Sequence, residues 1–464
     1  MSKKITIKKR SNICTLLLII GFSAHMQGAT LTWIGGNGTW NDPSNWDLGH
    51  VPTYEDEVVI NSGIVRVESV GEVENIDLNG GTLMVAGALL FQPVGYTNMN
   101  SYALDIDDHA TFINQGSTTF IDILSGSVDY TGSYFIRVYG SLTNENNGTI
   151  YMDGSEFRGI SMRGDHAILT NYGRIGMDNI ATGILTRGFF YNYGLIDIAS
   201  TNESFNIFQT HFETTGIINV NNYFYVEEST DVNISGELNI SSDVSLPWGF
   251  LTEGHTNIYL SGTLNISGQF DEIGLHISRY SEVLNSGEIS IDLSSSSSVE
   301  IFNKGTFVNN YSGKVSCDNY DGKSNVFEDG VCLNYGTWNF GNEGSNGVVS
   351  IEGNITNRNY GKLNIEGKLT LETSSNIVNE GQLNLTSNTT QPHIYGTIRN
   401  RGVVNDLYGK LGQIDNGGII ARPVYKKNKI KNALVIGSQA EISVLGWYTA
   451  ETNNTSAGAY DINT

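Results

Sequence analysis

One nine-residue pattern recurs along this chain: apolar, any, Asn, any, Gly, any, apolar, any, apolar. It reads LTNYGRIGM at Leu169–Met177, FYNYGLIDI at Phe190–Ile198 and VLNSGEISI at Val283–Ile291. It returns as CLNYGTWNF at Cys332–Phe340 and IVNEGQLNL at Ile377–Leu385, with looser copies such as RNYGKLNI ending at Ile365. The pattern glycines stand at 148, 173, 194, 216, 236, 262, 287, 305, 336, 361, 381 and 402, a mean spacing of about 23 residues. A short unit repeated at that spacing is the mark of a solenoid, in which each repeat covers its apolar side only by stacking on the next.

Within each unit the residues after Gly alternate with period two, as in a strand buried on one side. Ile175 with Met177, and Leu363 with Ile365, are expected to point into one core. The outward positions are mostly Asn, Asp, Ser, Thr and Glu, which predicts a polar outer face. Asn and Gly tolerate left-handed backbone, so N-x-G predicts a sharp corner between strands. In-register stacking further predicts an asparagine ladder, each amide bonded to the next coil.

Helix is the weaker reading, because no sustained i, i+3, i+4, i+7 apolar pattern occurs and β-branched residues, Gly and Asn abound. A β-sandwich leaves one recurring turn motif unexplained. The fold class expected is therefore all-β: a right-handed parallel β-helix, or β-solenoid, over residues 64–420. Residues 30–63, with Trp33, Trp40 and Trp46, are expected to cap the first coil, since an open stack end invites other chains. Residues 421–464 are expected to form a basic linker and a small β module.

Composition narrows the function. Charged residues are 16% of the chain, against roughly 25% in an ordinary soluble domain. The 54 glycines and 51 asparagines take their place. With 48 acidic and 26 basic residues, the formal charge of −22 argues against nucleic acid as a partner. Residues 1–29 read as a signal peptide. Lys3, Lys4, Lys8, Lys9 and Arg10 precede the apolar run Ile13–Phe22, and small residues follow. Its removal takes five basic and no acidic residues, which leaves −27. No later stretch reaches transmembrane length. Export makes a Cys317–Cys332 disulfide the expectation, closing a loop of about 15 residues worth about 3 kcal/mol. Two buried thiols are the alternative.

The stretch TWIGGNGTWNDPSNWDLGHVPTYEDEVVI, Thr32–Ile60, resembles a motif at the start of many bacterial surface proteins: W-x-G-G-x-G-x-W-x-D-P-x-N-W, then V-P, then D-x-V-x-I. Its continuation to Phe91 resembles the eight-glycine domain of extracellular proteins. Val435–Ile462 is similar to a short β-stack module near the C-termini of Bacteroidota secreted proteins. Together these resemblances imply a Bacteroidota-type extracellular β-helix protein, and they bring no catalytic residues with them.

Chemistry is sparse. The eight histidines are scattered, and no zinc-protease, nucleophile-elbow or phosphate-loop motif occurs. No metal site and no cofactor are expected. Arg158, Arg163, Asp165, His166 and Arg174 form the densest charged stretch, within 153–187. Converging, they would suit a polysaccharide lyase or glycoside hydrolase, with proton abstraction from an acidic sugar; dispersed, they are a solvated charged face. Tyr172, Tyr193, Tyr335 and Tyr360 each precede a motif glycine. A recurring tyrosine at one corner suggests a stripe on which sugar rings stack, with corner packing as the plainer alternative. The leading functional expectation is a secreted or cell-surface structural and adhesive protein without catalysis, binding polysaccharide or host glycan through an extended polar face. An architectural spacer without a ligand site is the third reading.

Overall fold

The computed structural model describes residues 28–92, 102–121, 133–154, 157–228, 230–294, 299–317, 324–327, 330–341, 348–385, 393–406, 415–416, 419–426 and 429–436. The signal-peptide expectation at 1–29 therefore lies almost wholly outside the described residues, as does most of the C-terminal module. The rest is a parallel β-solenoid whose coils run over three faces. One coil shows the order. Arg158–Met162 lies on the first face, Ile168–Asn171 on the second, and the start of Arg174–Asn192 on the third. That last strand then turns without a break onto the first face of the next coil.

Each face is one parallel ladder. The first runs from Thr30–Thr32 to His393–Ile394, the second from Asn37–Thr39 to Asp415–Asn416, and the third from Val70–Val73 to Ile419–Lys426. Lys429–Ile436 then pairs antiparallel with Ile419–Lys426, so a hairpin closes the parallel run. Period-two burial follows the sequence: Ile175, Met177, Leu363 and Ile365 are all buried. Burying each such side chain favours the coil by about 1.5–3 kcal/mol. Aromatic rings stack along the core axis, as in Phe91, Phe120, Phe135 and Phe157, with successive centroids 4.4, 5.6 and 4.7 Å apart.

The tryptophan motif is explained by packing. Trp46 meets Trp33 and Trp40 edge to face, both at 5.0 Å, and its Nε1 donates to the Trp40 carbonyl at 2.8 Å. Asn45 fills the space that a side chain at Gly35 or Gly38 would need. Asp42 accepts from the Ser44 amide at 3.0 Å and starts the Pro43–Asn45 turn. Asp56 accepts from the Ala29 and Thr53 amides, which pins the entry to the first face. No structural break falls at residue 63. Thr30 pairs with Glu57, and Asn37 with Ile64, so the tryptophan segment is itself the first coil.

The asparagine ladder exists, and it lies inside the core. Nδ2 of Asn114 donates to Asn144 Oδ1 at 2.7 Å, Asn144 to Asn171 and Asn171 to Asn192 each at 2.8 Å. A second run links Asn285, Asn309, Asn334, Asn357, Asn379 and Asn400, every step 2.8 Å. The other amide hydrogen reaches the carbonyl just past the corner of the next coil, as from Asn334 to Lys362 at 3.0 Å. In RNYGKLNI the residue in register is thus Asn357, not Asn359.

The corner glycines have a different reason from the expected one. None of those between the second and third faces has a positive φ. What forbids a side chain is the coil below: a Cβ on Gly262 would lie 2.0 Å from the Gly236 carbonyl oxygen, and one on Gly194 2.1 Å from that of Gly173. Gly305 also belongs elsewhere. It follows Asn303 at the corner between the first and second faces, and Gly313 occupies the repeat position. The irregular intervals around 305 were the sign of this.

The expected disulfide is a correction as well. Cys317 and Cys332 are buried thiols not joined to each other. They point inward from the third and second faces of successive coils, opposite Phe340 and Phe307 respectively. Burial pushes the Cys332 thiol well above its usual value.

Candidate functional site

The four tyrosines named from sequence lie on one corner, between the second and third faces. Tyr172 and Tyr193 stack in parallel, centroids 5.0 Å apart and planes 15° apart, both about two-fifths exposed. Tyr335 and Tyr360 stand farther along, joined by Tyr311, which sequence reasoning missed. Tyr311 is 5.3 Å from Tyr335 and 6.3 Å from Tyr360. It sits in Asn309–Gly313, a corner with three residues between Asn and Gly instead of one, closed by the Gly313 amide on the Asn310 carbonyl at 2.9 Å. Between the two groups the corner positions are Thr215, Ser235, Ser261 and Ser286. Five coil steps separate Tyr193 from Tyr311, about 24 Å at the usual strand spacing.

Tyr360 is 83% exposed and has φ +73°. A left-handed backbone at a bulky non-glycine residue costs about 1–2 kcal/mol.

The two faces beside the Tyr311–Tyr335–Tyr360 group differ. On the third face, outward Asn339, Asn364, Asn384 and Asn405 form a second amide ladder, with steps of 2.7, 2.5 and 2.6 Å. Each link uses one amide hydrogen and one acceptor pair, and a primary amide has two hydrogens. This is the polar face expected from sequence. The second face departs from that expectation. Tyr259, Leu284, Val308 and Leu333 follow one another in register on its outer side. Aromatic rings thus border an apolar row on one side and an amide row on the other.

The charged residues of 153–187 occupy three places. Arg158 and Arg163 meet on the first face, where both donate to the Tyr134 hydroxyl, at 2.8 and 3.1 Å. Asp165 pairs with Arg187 at 2.7 Å, in an open groove at the next corner shared with Phe189, Gln209, His211 and Asp231. Arg174 pairs with Asp197 at 2.9 Å on the third face. His166 is exposed. The five therefore do not form one cluster.

A carboxylate group that sequence reasoning passed over lies farther along the first face. Asn206 Nδ2 donates to Glu203 and Glu227, each at 3.1 Å, and the Tyr225 hydroxyl donates to Glu253 at 2.5 Å. Burial, and secondarily the neighbouring Glu227, raise the Glu203 carboxyl above its usual value. Burial also leads in raising the Tyr223 hydroxyl to about 12, followed by the Glu203 charge. Among the described residues, no three His, Cys, Asp or Glu side chains gather as a metal site, and no helix is long and apolar enough to cross a membrane.

Against known proteins, no family model, no curated protein and no solved structure matches this chain. What is established is the class: a parallel β-solenoid that opens on a tryptophan cluster.

Proposed function

We propose that this chain is an exported, surface-displayed structural and adhesive solenoid that binds glycan or a similar surface polymer along the corner between its second and third faces. The observation that carries this reading is the row Tyr311, Tyr335 and Tyr360, with the Tyr311 ring 5.3 and 6.3 Å from the other two, beside an outward, half-buried amide ladder. Sugar rings present apolar faces that stack on phenol rings and hydroxyls that bond to amides, and tyrosine supplies such contact with few rotatable bonds. The basic and apolar N-terminus supports export. The resemblance of Thr32–Phe91 to the eight-glycine domain supports an extracellular, Bacteroidota-type β-helix. The dispersal of Arg158, Arg163, Asp165, His166 and Arg174 over three places supports binding without catalysis.

The test is glycan-array binding followed by co-sedimentation with the polysaccharides that score, using wild type and the Tyr311→Ala/Tyr335→Ala/Tyr360→Ala variant. Loss of at least about tenfold in affinity is expected, since aromatic stacking contributes roughly 0.5–1.5 kcal/mol per ring. Equal binding by the variant removes the corner from the account. Silence across the array, with adhesion of the producing cell intact on deletion, replaces adhesion with a spacer role.

A further inference from the structure

Among the described residues, only some arginines of this acidic protein pair with a carboxylate. Arg66, Arg279, Arg399 and Arg401 stand apart from one, as Arg158 and Arg163 do, but without a shared partner. Arg137, Arg174, Arg187 and Arg358 each hold a carboxylate: Asp105, Asp197, Asp165 and Glu380 respectively. Arg158 and Arg163 hold none among the described residues. They converge instead on one neutral atom, the hydroxyl oxygen of Tyr134, which is 2% exposed. Arg163 is held further by its Nε donating to Ser161 Oγ at 2.6 Å, and Ser161 is buried.

Two guanidinium groups bonded to one oxygen repel each other, and the neutral Tyr134 ring, 5.4 and 5.3 Å from their carbons, offsets that only in part through its π face. They carry ten N–H donors between them, of which three are engaged among the described residues. Tyr134 lies in register with Tyr102 and Arg158, and the Tyr102 and Tyr134 rings stack at 6.2 Å. Past Arg158 the same row holds only Thr182 before Glu203, two coils away. Two coil steps are about 10 Å of backbone, and while burial raises the Glu203 carboxyl, Arg158 still acts to lower it. A small residue thus leaves room beside a pair of positive groups, Arg158 on its strand and Arg163 just past that strand's end. Paired guanidinium groups match planar or tetrahedral oxyanions in geometry and charge.

We propose that Arg158 and Arg163, tied together by the Tyr134 hydroxyl, bind the oxyanion of an acidic glycan, a uronate carboxylate or a sulfate ester. This site is on the first face, apart from the tyrosine corner, and does not depend on it. The overall charge of −22 repels polyanions generally, so retention of one reports a local site.

The experiment measures binding of the full chain to polygalacturonate, dextran sulfate and unmodified dextran at physiological salt. Retention on at least one charged polymer and not through the neutral one is expected, and which polymer is retained assigns the source of the oxyanion. The Arg158→Gln/Arg163→Gln variant should lose at least about tenfold, while Arg187→Gln and the triple tyrosine variant keep their affinity for the charged polymer. Tyr134→Phe preserves both charges and the ring, removes the shared oxygen, and should weaken binding severalfold. Circular dichroism checks that each variant keeps its strand content. Wild type retained on neither charged polymer overturns the proposal. So does a double arginine variant that binds as wild type, or an Arg187→Gln variant that loses as much. Failure of the corner shows instead in the triple tyrosine variant, on the glycans that the array selects.

Discussion

The coils from Asn285 to Asn400 and the coils between Thr214 and Asn285 use the same backbone with different interiors. In the first stretch every coil places an asparagine in the inner corner row. In the second, the same row holds Ile234 and Leu260, in register with Thr214 before and Asn285 after. The corner glycines do not change: a Cβ on Gly236, Gly262 or Gly287 meets the preceding coil's carbonyl at 2.0 Å. Coil stacking therefore needs the glycine at every step. It needs the asparagines only in company, because a buried amide without its neighbour is unsatisfied and a buried Leu or Ile is not. In the central coils the amide ladder Asn219–Asn239–Asn265 runs on the outer side instead, and the buried polar groups are mostly hydroxyls such as Thr256, which donates to Ser281 at 2.7 Å.

The difference between the two stretches can be broken deliberately. Asn334→Leu removes the links to Asn309, Asn357 and the Lys362 carbonyl, and should destabilise the solenoid by about 3–5 kcal/mol, read as a lower denaturant midpoint. A loss below about 1 kcal/mol means that the ladder is not holding the corner. Gly262→Ala should cost about 1–3 kcal/mol even though its coil has no interior amide, because the coils must part to admit the methyl group. If Ala is tolerated there, close approach is not why glycine stands at these corners.

Ile234→Asn alone should cost about 2 kcal/mol. Adding Leu260→Asn should then recover part of it, a coupling of about 1 kcal/mol in a double-mutant cycle, since the amide gains a partner. Strict additivity argues against a cooperative ladder. The smallest effect is electrostatic. Glu203 has a raised carboxyl, so its stability contribution is fully present below the unfolded value, near 4.5, and is lost as pH rises through the folded one. Glu203→Gln, which can still accept from Asn206, should therefore raise the melting temperature slightly at pH 7, and that advantage should fade toward pH 4. An advantage that grows on acidification reverses the sign of the argument.

Much of the fold was legible because its signals are local. Period-two alternation and a spaced N-x-G are set by neighbours in the chain, and both survive as strands and corners. The site was legible in part. Tyr172, Tyr193, Tyr335 and Tyr360 share a corner because each precedes a repeat glycine, whereas Tyr311 was hidden by two extra residues in its turn. Arg158 and Arg163 stand out in sequence, but their common partner is 24 and 29 residues earlier, reachable only through the register of stacked coils. The cysteine pair misled for the same reason. Spacing allowed a bridge, and inward alternation on two different faces seated the thiols in the core without one.

By itself, then, the sequence determined the class of fold, the repeat length, the inward residues and the existence of an amide ladder. The tertiary structure alone decided why the corner residue is glycine, which asparagine of a long turn enters the ladder, and which charged side chains meet. Those answers depend on atoms one coil away, such as a carbonyl oxygen 2.0 Å from an added methyl group. A chain pattern cannot specify such a contact until the coils are in register.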